Sequence, residues 1–273
     1  RTGKKKERKY SKVKIINVYC KQVEKHIKFY LRSYLIYSKK MKKTLILLSI
    51  SILSFSQTSS AQIEIDENAM GAWYMYFFNT TINESSWGVQ GDIQFRNWDM
   101  GGDLEQLLLR GGLTYKPQKA DVLLTLGYGN ITTGTYGDPT ETKAESRIYQ
   151  EALFPVNFGE RLYTKHRFRY EQRFVGNQDF RTRYRYNVFV NVPLNKSSFE
   201  KNTIYLALYN ELFINGQRDI GNENTVEIFD RNRFYSALGY VIKKGLNVQL
   251  GVMQQSTNNW TKSQIQLSIH HKI

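Results

Sequence analysis

The sequence predicts an all-β fold, and three observations carry that prediction. Beyond residue 61, apolar and polar side chains alternate with period two through most of the chain, the pattern of strands with one apolar and one polar face. Several alternating segments run ten residues or more, longer than the usual strand of about 5–6, with Gly, Asn, Asp or Pro at their ends. Aromatic residues are dense, 19 Tyr, 15 Phe and 4 Trp in 273 residues, and many stand near segment ends.

The formal charge of +15 does not belong to this β-rich part. Residues 1–61 hold 16 of the 39 basic residues and two acids, Glu7 and Glu24, whereas 62–273 hold 23 basic and 22 acidic residues. Met41-Lys42-Lys43, the apolar run Thr44–Phe55 and the small residues Ser59-Ser60-Ala61 have the three parts of a secretory signal peptide, with cleavage expected after Ala61. The apolar centre is too short to span a bilayer as a helix. Residues 1–40, Lys-rich and without core logic, are expected to be an upstream extension of the real start at Met41. The expected organisation is therefore 1–40 extension, 41–61 signal peptide and 62–273 a single domain. The one cysteine, Cys20, falls in the extension, so no disulfide framework is expected.

Eleven segments alternate. Trp73–Phe78 opens the series, followed by Val89, Gly91, Ile93 and Phe95 against Gln90, Asp92, Gln94 and Arg96. Leu104–Tyr115, Ala120–Ile131 and Ser146–Phe154 come next. Arg161–Phe174 is the sharpest: Arg161, Tyr163, Lys165, Arg167, Arg169, Glu171 and Arg173 share one face, and Leu162, Thr164, His166, Phe168, Tyr170, Gln172 and Phe174 the other. After Gly176-Asn177, Arg181, Arg183, Arg185 and Asn187 oppose Phe180, Tyr184, Tyr186, Val188, Val190 and Val192. Ile204, Leu206, Leu208, Leu212 and Ile214 oppose Tyr205, Tyr209 and Glu211. Phe234, Leu238, Tyr240 and Ile242 oppose Arg231, Arg233 and Tyr235. Leu246, Val248, Leu250 and Val252 oppose Asn247, Gln249 and Gln255, and Ile265, Leu267 and Ile269 oppose Gln264, Gln266, Ser268 and His270.

Two architectures accommodate such strands. A soluble sandwich or small barrel buries the apolar faces, while an outer-membrane barrel turns them to lipid. The signal peptide, the strand lengths and the aromatics Trp73, Phe78, Trp87, Trp98, Tyr115, Phe174, Phe180 and Trp260 near segment ends favour the second. The expected fold is thus a single antiparallel transmembrane β-barrel in the outer membrane of a Gram-negative cell. An arginine facing lipid at the midplane costs ~2–4 kcal/mol. Turning Arg181, Arg183 and Arg185 outward would cost roughly 6–12 kcal/mol, the scale of a whole domain's stability; these faces are expected to line the lumen. Bacterial barrels have even strand numbers, so the eleven segments suggest about 12 strands, in a range of 10–14. With the C-terminus in the periplasm, Lys244-Gly245 and Lys116–Lys119 become short inner turns, and Thr132–Glu145 and Gly216–Val226 long outer segments.

The blocks HRFRYEQRF (166–174), RTRYRY (181–186), NELF (210–213) and FDRNRFY (229–235) resemble an outer-membrane barrel family of Bacteroidetes filed as domain of unknown function 2490. The resemblance runs from about Trp73 to the end, and HRFRYEQRF is its most specific part. It implies a barrel and an outer-membrane location, and no activity. Arg231 stands where the family's block carries Gln, which adds one lumenal charge.

No enzyme and no cofactor are expected. His166 sits on an apolar face and His270-His271 at the chain end, a poor basis for metal ligation. Ser268 and His270 share a face, but an i, i+2 pair alone is a weak nucleophile signature. Gly101-Gly102 and Gly111-Gly112 read as turn or bend residues, since no strand-to-helix context makes them phosphate loops. The candidate site is the lumenal charge set Lys165, Arg167, Arg169, Glu171, Arg173, Arg181, Arg183, Arg185, Glu211, Arg231 and Arg233, with Asp92, Glu151, Arg110 and Arg147 facing it. Either these groups pair and fill the lumen, or the arginine excess forms a narrow pore or pocket favouring anionic solutes. Partners would be the outer-membrane bilayer and, in the second case, small anionic solutes. A near-neutral 62–273 argues against nucleic acid. A secreted soluble β-barrel that binds a ligand is the alternative, and an outer-membrane lipid-modifying enzyme the third.

Overall fold

A computed structural model describes residues 65–159 and 161–273; the expected extension 1–40 and the expected signal peptide 41–61 lie outside them. Within the described residues there are eleven strands: β1 (Gly71–Thr81), β2 (Trp87–Asn97), β3 (Leu104–Tyr115), β4 (Leu123–Thr135), β5 (Asp138–Pro155), β6 (Tyr163–Val175), β7 (Arg181–Pro193), β8 (Ile204–Asn215), β9 (Phe229–Lys243), β10 (Leu246–Ser256) and β11 (Thr261–Lys272). They range from 11 to 18 residues. Each pairs antiparallel with its sequence neighbours, and β1 closes on β11 to make a barrel, which leaves no sheet edge unpaired.

The closing pair is parallel, with Gly71 opposite Gln264 and Phe77 opposite His270. Eleven lies within the expected range and one short of the even number. An odd count forces this: strands alternate in direction, so the first and last of eleven run the same way. One end of the barrel, the C-terminal mouth, carries Ile273 and the links 82–86, 116–122, 156–162, 194–203 and 244–245. The opposite end carries the start of β1 and the links 98–103, 136–137, 176–180, 216–228 and 257–260. Lys244-Gly245 and Lys116–Lys119 thus share the end of the C-terminus, and Gly216–Val226 lies across from them. Residues 132–145 are not a long loop. β4 runs through Thr135 and β5 resumes at Asp138, leaving a two-residue link at Tyr136-Gly137. The polar composition of this stretch hides the strands, because a hairpin beyond the apolar belt needs no apolar face.

The wall turns many apolar side chains outward and most charged ones inward, beside a buried cluster of Trp73, Tyr205, Tyr235, Val241 and Met253 inside the barrel. On the outer face one row of directly paired residues runs Val192, Leu206, Leu238, Leu250, Leu267, Tyr74, Phe95 and Leu107 around eight strands. Leu250 is 57% exposed, and Tyr74, Phe95, Leu238 and Leu267 are exposed as well. The inner face holds most of the buried charge, including Asp92, Arg96, Glu105, Glu145, Arg147, Glu151, Arg169, Glu171, Arg173, Arg183, Arg185, Glu211 and Arg233. Since a one-residue slip would exchange the two faces along a whole strand, the register is fixed by both.

Two inner tyrosines lie flat across glycines on adjacent strands. A Cβ on Gly239 would fall 2.1 Å from Tyr205 Cζ, and one on Gly127 would fall 2.1 Å from Tyr149 Cζ. Tyr205 cannot retreat easily, because its hydroxyl accepts hydrogen bonds from Gln249 Nε2 (3.1 Å) and Asn247 Nδ2 (3.4 Å). Gly239→Ala should therefore cost the ~1–3 kcal/mol of an overpacked interior, read as a lower urea midpoint. Gly111→Ala, where a Cβ meets nothing within 4 Å, should leave the midpoint unchanged.

Turns follow local chemistry. Gly245 takes φ +82°, the left-handed region glycine enters at no steric cost, and so lets a two-residue link reverse the chain. In the loop 98–103 the Asp99 carboxylate accepts backbone N–H groups of Gly102 (2.6 Å), Gly101 (2.9 Å) and Asp103 (3.2 Å). Those amides, Gly102 foremost, hold its pKa below the ordinary aspartate value.

Candidate functional site: a charged and aromatic barrel interior

Alternation along β5 to β9 directs the charged side chains inward, and pairing across strands brings opposite charges together. Glu171 is 1% exposed and sits at the centre. Its Oε2 accepts Arg183 Nε (2.9 Å) and Nη2 (2.7 Å), and its Oε1 accepts Arg185 Nη1 (2.6 Å). Arg183 reaches on to Asp230 Oδ2 at 2.7 Å, and Asp230 Oδ1 accepts Arg231 Nη2 at 3.1 Å. Glu211 joins Arg185 Nε (2.9 Å) to Arg167 Nη2 (2.6 Å). Glu151 accepts Arg169 Nη2 at 2.6 Å, and Glu145 accepts both Arg147 Nη2 and Arg173 Nη2 at 2.9 Å. Asp92 binds Arg110 at 2.9 Å.

The register places like charges opposite one another, as in Arg169 with Arg185 and Arg147 with Arg173. Such pairs repel unless a carboxylate lies between them. Glu171 contacts both members of the first pair and Glu145 both of the second. Fork-shaped guanidinium groups suit this sharing, because each presents several donors in one plane.

Aromatic rings complete the packing. Phe213 is surrounded by the guanidinium carbons of Arg185 (4.4 Å), Arg233 (4.7 Å), Arg183 (5.2 Å) and Arg231 (6.0 Å) from its centroid. Trp73 lies between Arg96 (3.8 Å) and Arg233 (4.8 Å), and its Nε1 donates to Glu105 Oε2 at 2.7 Å. Stacking of this kind is worth about 0.5–2 kcal/mol per contact, most where water is excluded. It holds Arg96 and Arg233, whose hydrogen bonds go to glutamines: Arg96 to Gln94 and Gln106, Arg233 to Gln255.

Trp73 is therefore not a girdle residue. It is 1% exposed and inside the barrel, sharing its face with Met75 and Phe77, because β1 is apolar on both faces and the residue type does not disclose which side it takes. Trp98 is also buried; it packs edge-on against Tyr136 (5.7 Å) and Trp260 (6.1 Å) at the end of the barrel where β1 starts. Beside them Lys262 Nζ donates to the carbonyls of Ala69 (2.6 Å) and Asp66 (2.7 Å), tying the segment before β1 to the interior. Trp87, in contrast, is exposed on the outer face and packs on Tyr115 at 4.7 Å.

Of the candidate residues, Arg167, Arg169, Glu171, Arg173, Arg183, Arg185, Glu211 and Arg231 lie in the ion-pair network, and Arg233 joins it through the rings. Arg181, opposite Arg173, makes no ion pair, and its Nε is buried without a hydrogen-bond partner. Lys165 stands apart, toward the C-terminal mouth. Glu145, Asp230, Glu105, Arg96, Trp73 and Phe213 are the members that sequence reasoning left out of the set. Glu145 went unseen because 132–145 reads as a loop.

The histidines separate. His166 faces outward, is buried, and shares a hydrogen bond of 2.7 Å between Nδ1 and Tyr186 Oη. His271 faces outward to Tyr76 Oη at 3.0 Å. His270 faces inward, with Nε2 3.0 Å from Ser268 Oγ and its ring stacked on Phe77 at 4.8 Å. Among the described residues no cluster of three or more His, Cys, Asp or Glu side chains has metal-binding geometry.

The two ends differ in charge. Among the described residues, the links and strand tips at the C-terminal mouth carry Lys116, Lys119, Arg161, Lys196, Lys201, Lys243, Lys244 and Lys272 against Glu84, Asp121 and Glu200. Asp121 and Glu200 are already paired to Lys116 and Lys196. The opposite end carries Asp66, Glu67, Asp99, Asp103, Asp138, Glu141, Asp179, Asp219, Glu223 and Glu227 against Lys143, Arg181, Arg218 and Lys262.

These features define a closed β-barrel with an apolar outer wall and an interior of buried arginine–carboxylate pairs braced by aromatic rings. The family described as "Protein of unknown function (DUF2490)" matches residues 70–266, and the chain belongs to it. No curated protein matches the chain.

Proposed function

We propose that this chain is an outer-membrane β-barrel whose charged interior braces the wall and seals the waist, not a conducting pore. The observation that carries the reading is the reversed distribution of polarity: a continuous apolar row on the outside, five of its eight residues exposed and three half-buried, and buried ion pairs inside. Water would leave that outer row unsatisfied, since soluble monomers rarely expose contiguous apolar patches beyond a few hundred Å², whereas lipid accepts it. The strands are long enough to cross a bilayer when tilted. No helix among the described residues is long and apolar enough to do so, a fact without bearing on strands. The expected signal peptide supplies the export route.

The sealed waist follows from occupancy. Glu171, Arg183, Arg185 and Glu211 converge from β6, β7 and β8 with Arg233 and Trp73 from β9 and β1, and all are buried. The expected result is a protein that stays in the membrane fraction through carbonate washing, shifts on gels with heating, and gives no steady single-channel steps in planar bilayers. Release by carbonate without a heat shift would favour the secreted ligand-binding alternative. Steady anion-selective steps would replace the seal with a pore.

A further inference from the structure

The interior is not uniformly filled. Around the ion pairs the inward side chains are shut off from solvent, and on β8 and β9 Tyr205, Ala207 and Val241 stay buried up to the C-terminal mouth, but beside β6, β7, β11 and β1 the interior opens there. Phe77, Phe189 and His270 are half-buried, and Lys165 and Lys272 are exposed although both face inward. Lys272 is the last residue of β11 and opens at the rim, whereas Lys165 stands two residues inside the start of β6, so its exposure marks unfilled lumen behind the mouth. Lys165 projects from β6 and Lys272 from β11, on opposite sides of the barrel, both inward and both at its C-terminal end. Among the described residues neither side chain has an ion-pair or hydrogen-bond partner, whereas the arginines deeper in, Arg181 excepted, are held by carboxylates, glutamines or rings. Aromatic surface adjoins both: Phe189 is the direct pairing partner of Lys165, and Phe77 stacks on His270.

We propose that this open part of the lumen, beside Lys165, Lys272, Phe189 and Phe77, is a blind pocket for a small ring-bearing organic anion, a phosphate monoester or a carboxylate. Its acidic group sits between Lys165 and Lys272, and its ring lies against Phe189 and Phe77. Two lysines held apart and unpaired in a partly enclosed space repel each other, and an anion between them removes that repulsion while gaining charge-assisted hydrogen bonds. The basic rim raises the local anion concentration at the entrance. The sealed waist makes the pocket blind, so the inference rests on that part of the proposed function and not on where the barrel resides. With an open waist the same lysines would line a channel, and anion conductance without saturable binding would appear.

The test is calorimetric titration of the purified barrel with phenyl phosphate, and with benzyl alcohol as the neutral counterpart. Saturable one-to-one binding of phenyl phosphate is expected, with none of the alcohol. Lys165→Gln and Lys272→Gln should each weaken it roughly tenfold or more, the loss of one charge-assisted contact. Lys165→Arg should retain it, and Arg218→Gln at the far end should leave it unchanged. Each variant is checked for the heat-dependent gel shift of the folded barrel. If Lys165→Gln fails that check, Lys272→Gln decides, since Lys272 is the last residue of β11 and exposed. Equal binding of the alcohol, no saturable binding of phenyl phosphate, or binding indifferent to both lysine-to-glutamine variants would overturn the proposal.

Discussion

Glu171→Gln should destabilise the barrel by about 3–5 kcal/mol, the cost of removing one partner from a buried ion pair. The substitution keeps the size of the side chain and takes away the charge that Arg183 and Arg185 share at 2.6–2.9 Å. Arg183 would keep Asp230 and Arg185 would keep Glu211, so the network would not vanish. Arg169, Arg183 and Arg185 would nonetheless be left repelling one another around a neutral amide, in a region where water does not screen them. The comparison is Glu227→Gln. Glu227 pairs with Arg218 at 3.0 Å, but both side chains are about 60% exposed, and an exposed pair contributes ~0–1 kcal/mol. Urea unfolding of the two variants, followed by loss of the heat-dependent gel shift, measures the difference. Similar midpoints would mean that the interior is hydrated and the waist is not sealed.

The same contrast shows what a one-dimensional sequence can disclose. In β6 and β7 a charged residue at every second position separates the faces without ambiguity, because no other arrangement keeps Arg181, Arg183 and Arg185 out of an apolar environment. What alternation cannot give is which carboxylate each arginine meets. That depends on register between strands, and Glu145, from a segment with no apolar alternation, turns out to bind both Arg147 and Arg173. Trp73 and Phe213 were hidden for a related reason. A ring serves equally well against lipid and against a guanidinium face, and the chain carries no local mark that separates the two uses. Eleven alternating segments are legible, but the even-number rule raises the expected count to about 12. The parallel closure of β1 on β11 follows from the eleven strands present, and nothing in either strand's own composition announces that they pair.

Leu250→Arg should carry the second-largest effect, and it separates a wall that faces lipid from one that faces water. Leu250 lies near the middle of β10, 57% exposed, in direct register with Leu238 and Leu267, which are exposed too. In water, a charged residue at such a site changes stability by no more than about 0.5 kcal/mol and improves solubility. In a bilayer the same arginine near the midplane costs ~2–4 kcal/mol, falling to ~0–1 near the interfaces. The expected outcome for the membrane reading is therefore a loss of about 2–4 kcal/mol for Leu250→Arg in refolding into lipid vesicles. Leu246→Arg, at the tip of the same strand beside the two-residue turn, should cost ~0–1 kcal/mol, because its side chain reaches the interface. Comparing the two positions on one strand cancels the change in side-chain type and leaves depth as the variable. No difference between them, or a gain in solubility for Leu250→Arg with no loss of stability, would mean that the outer wall meets water and that the exposed leucines belong to some other contact.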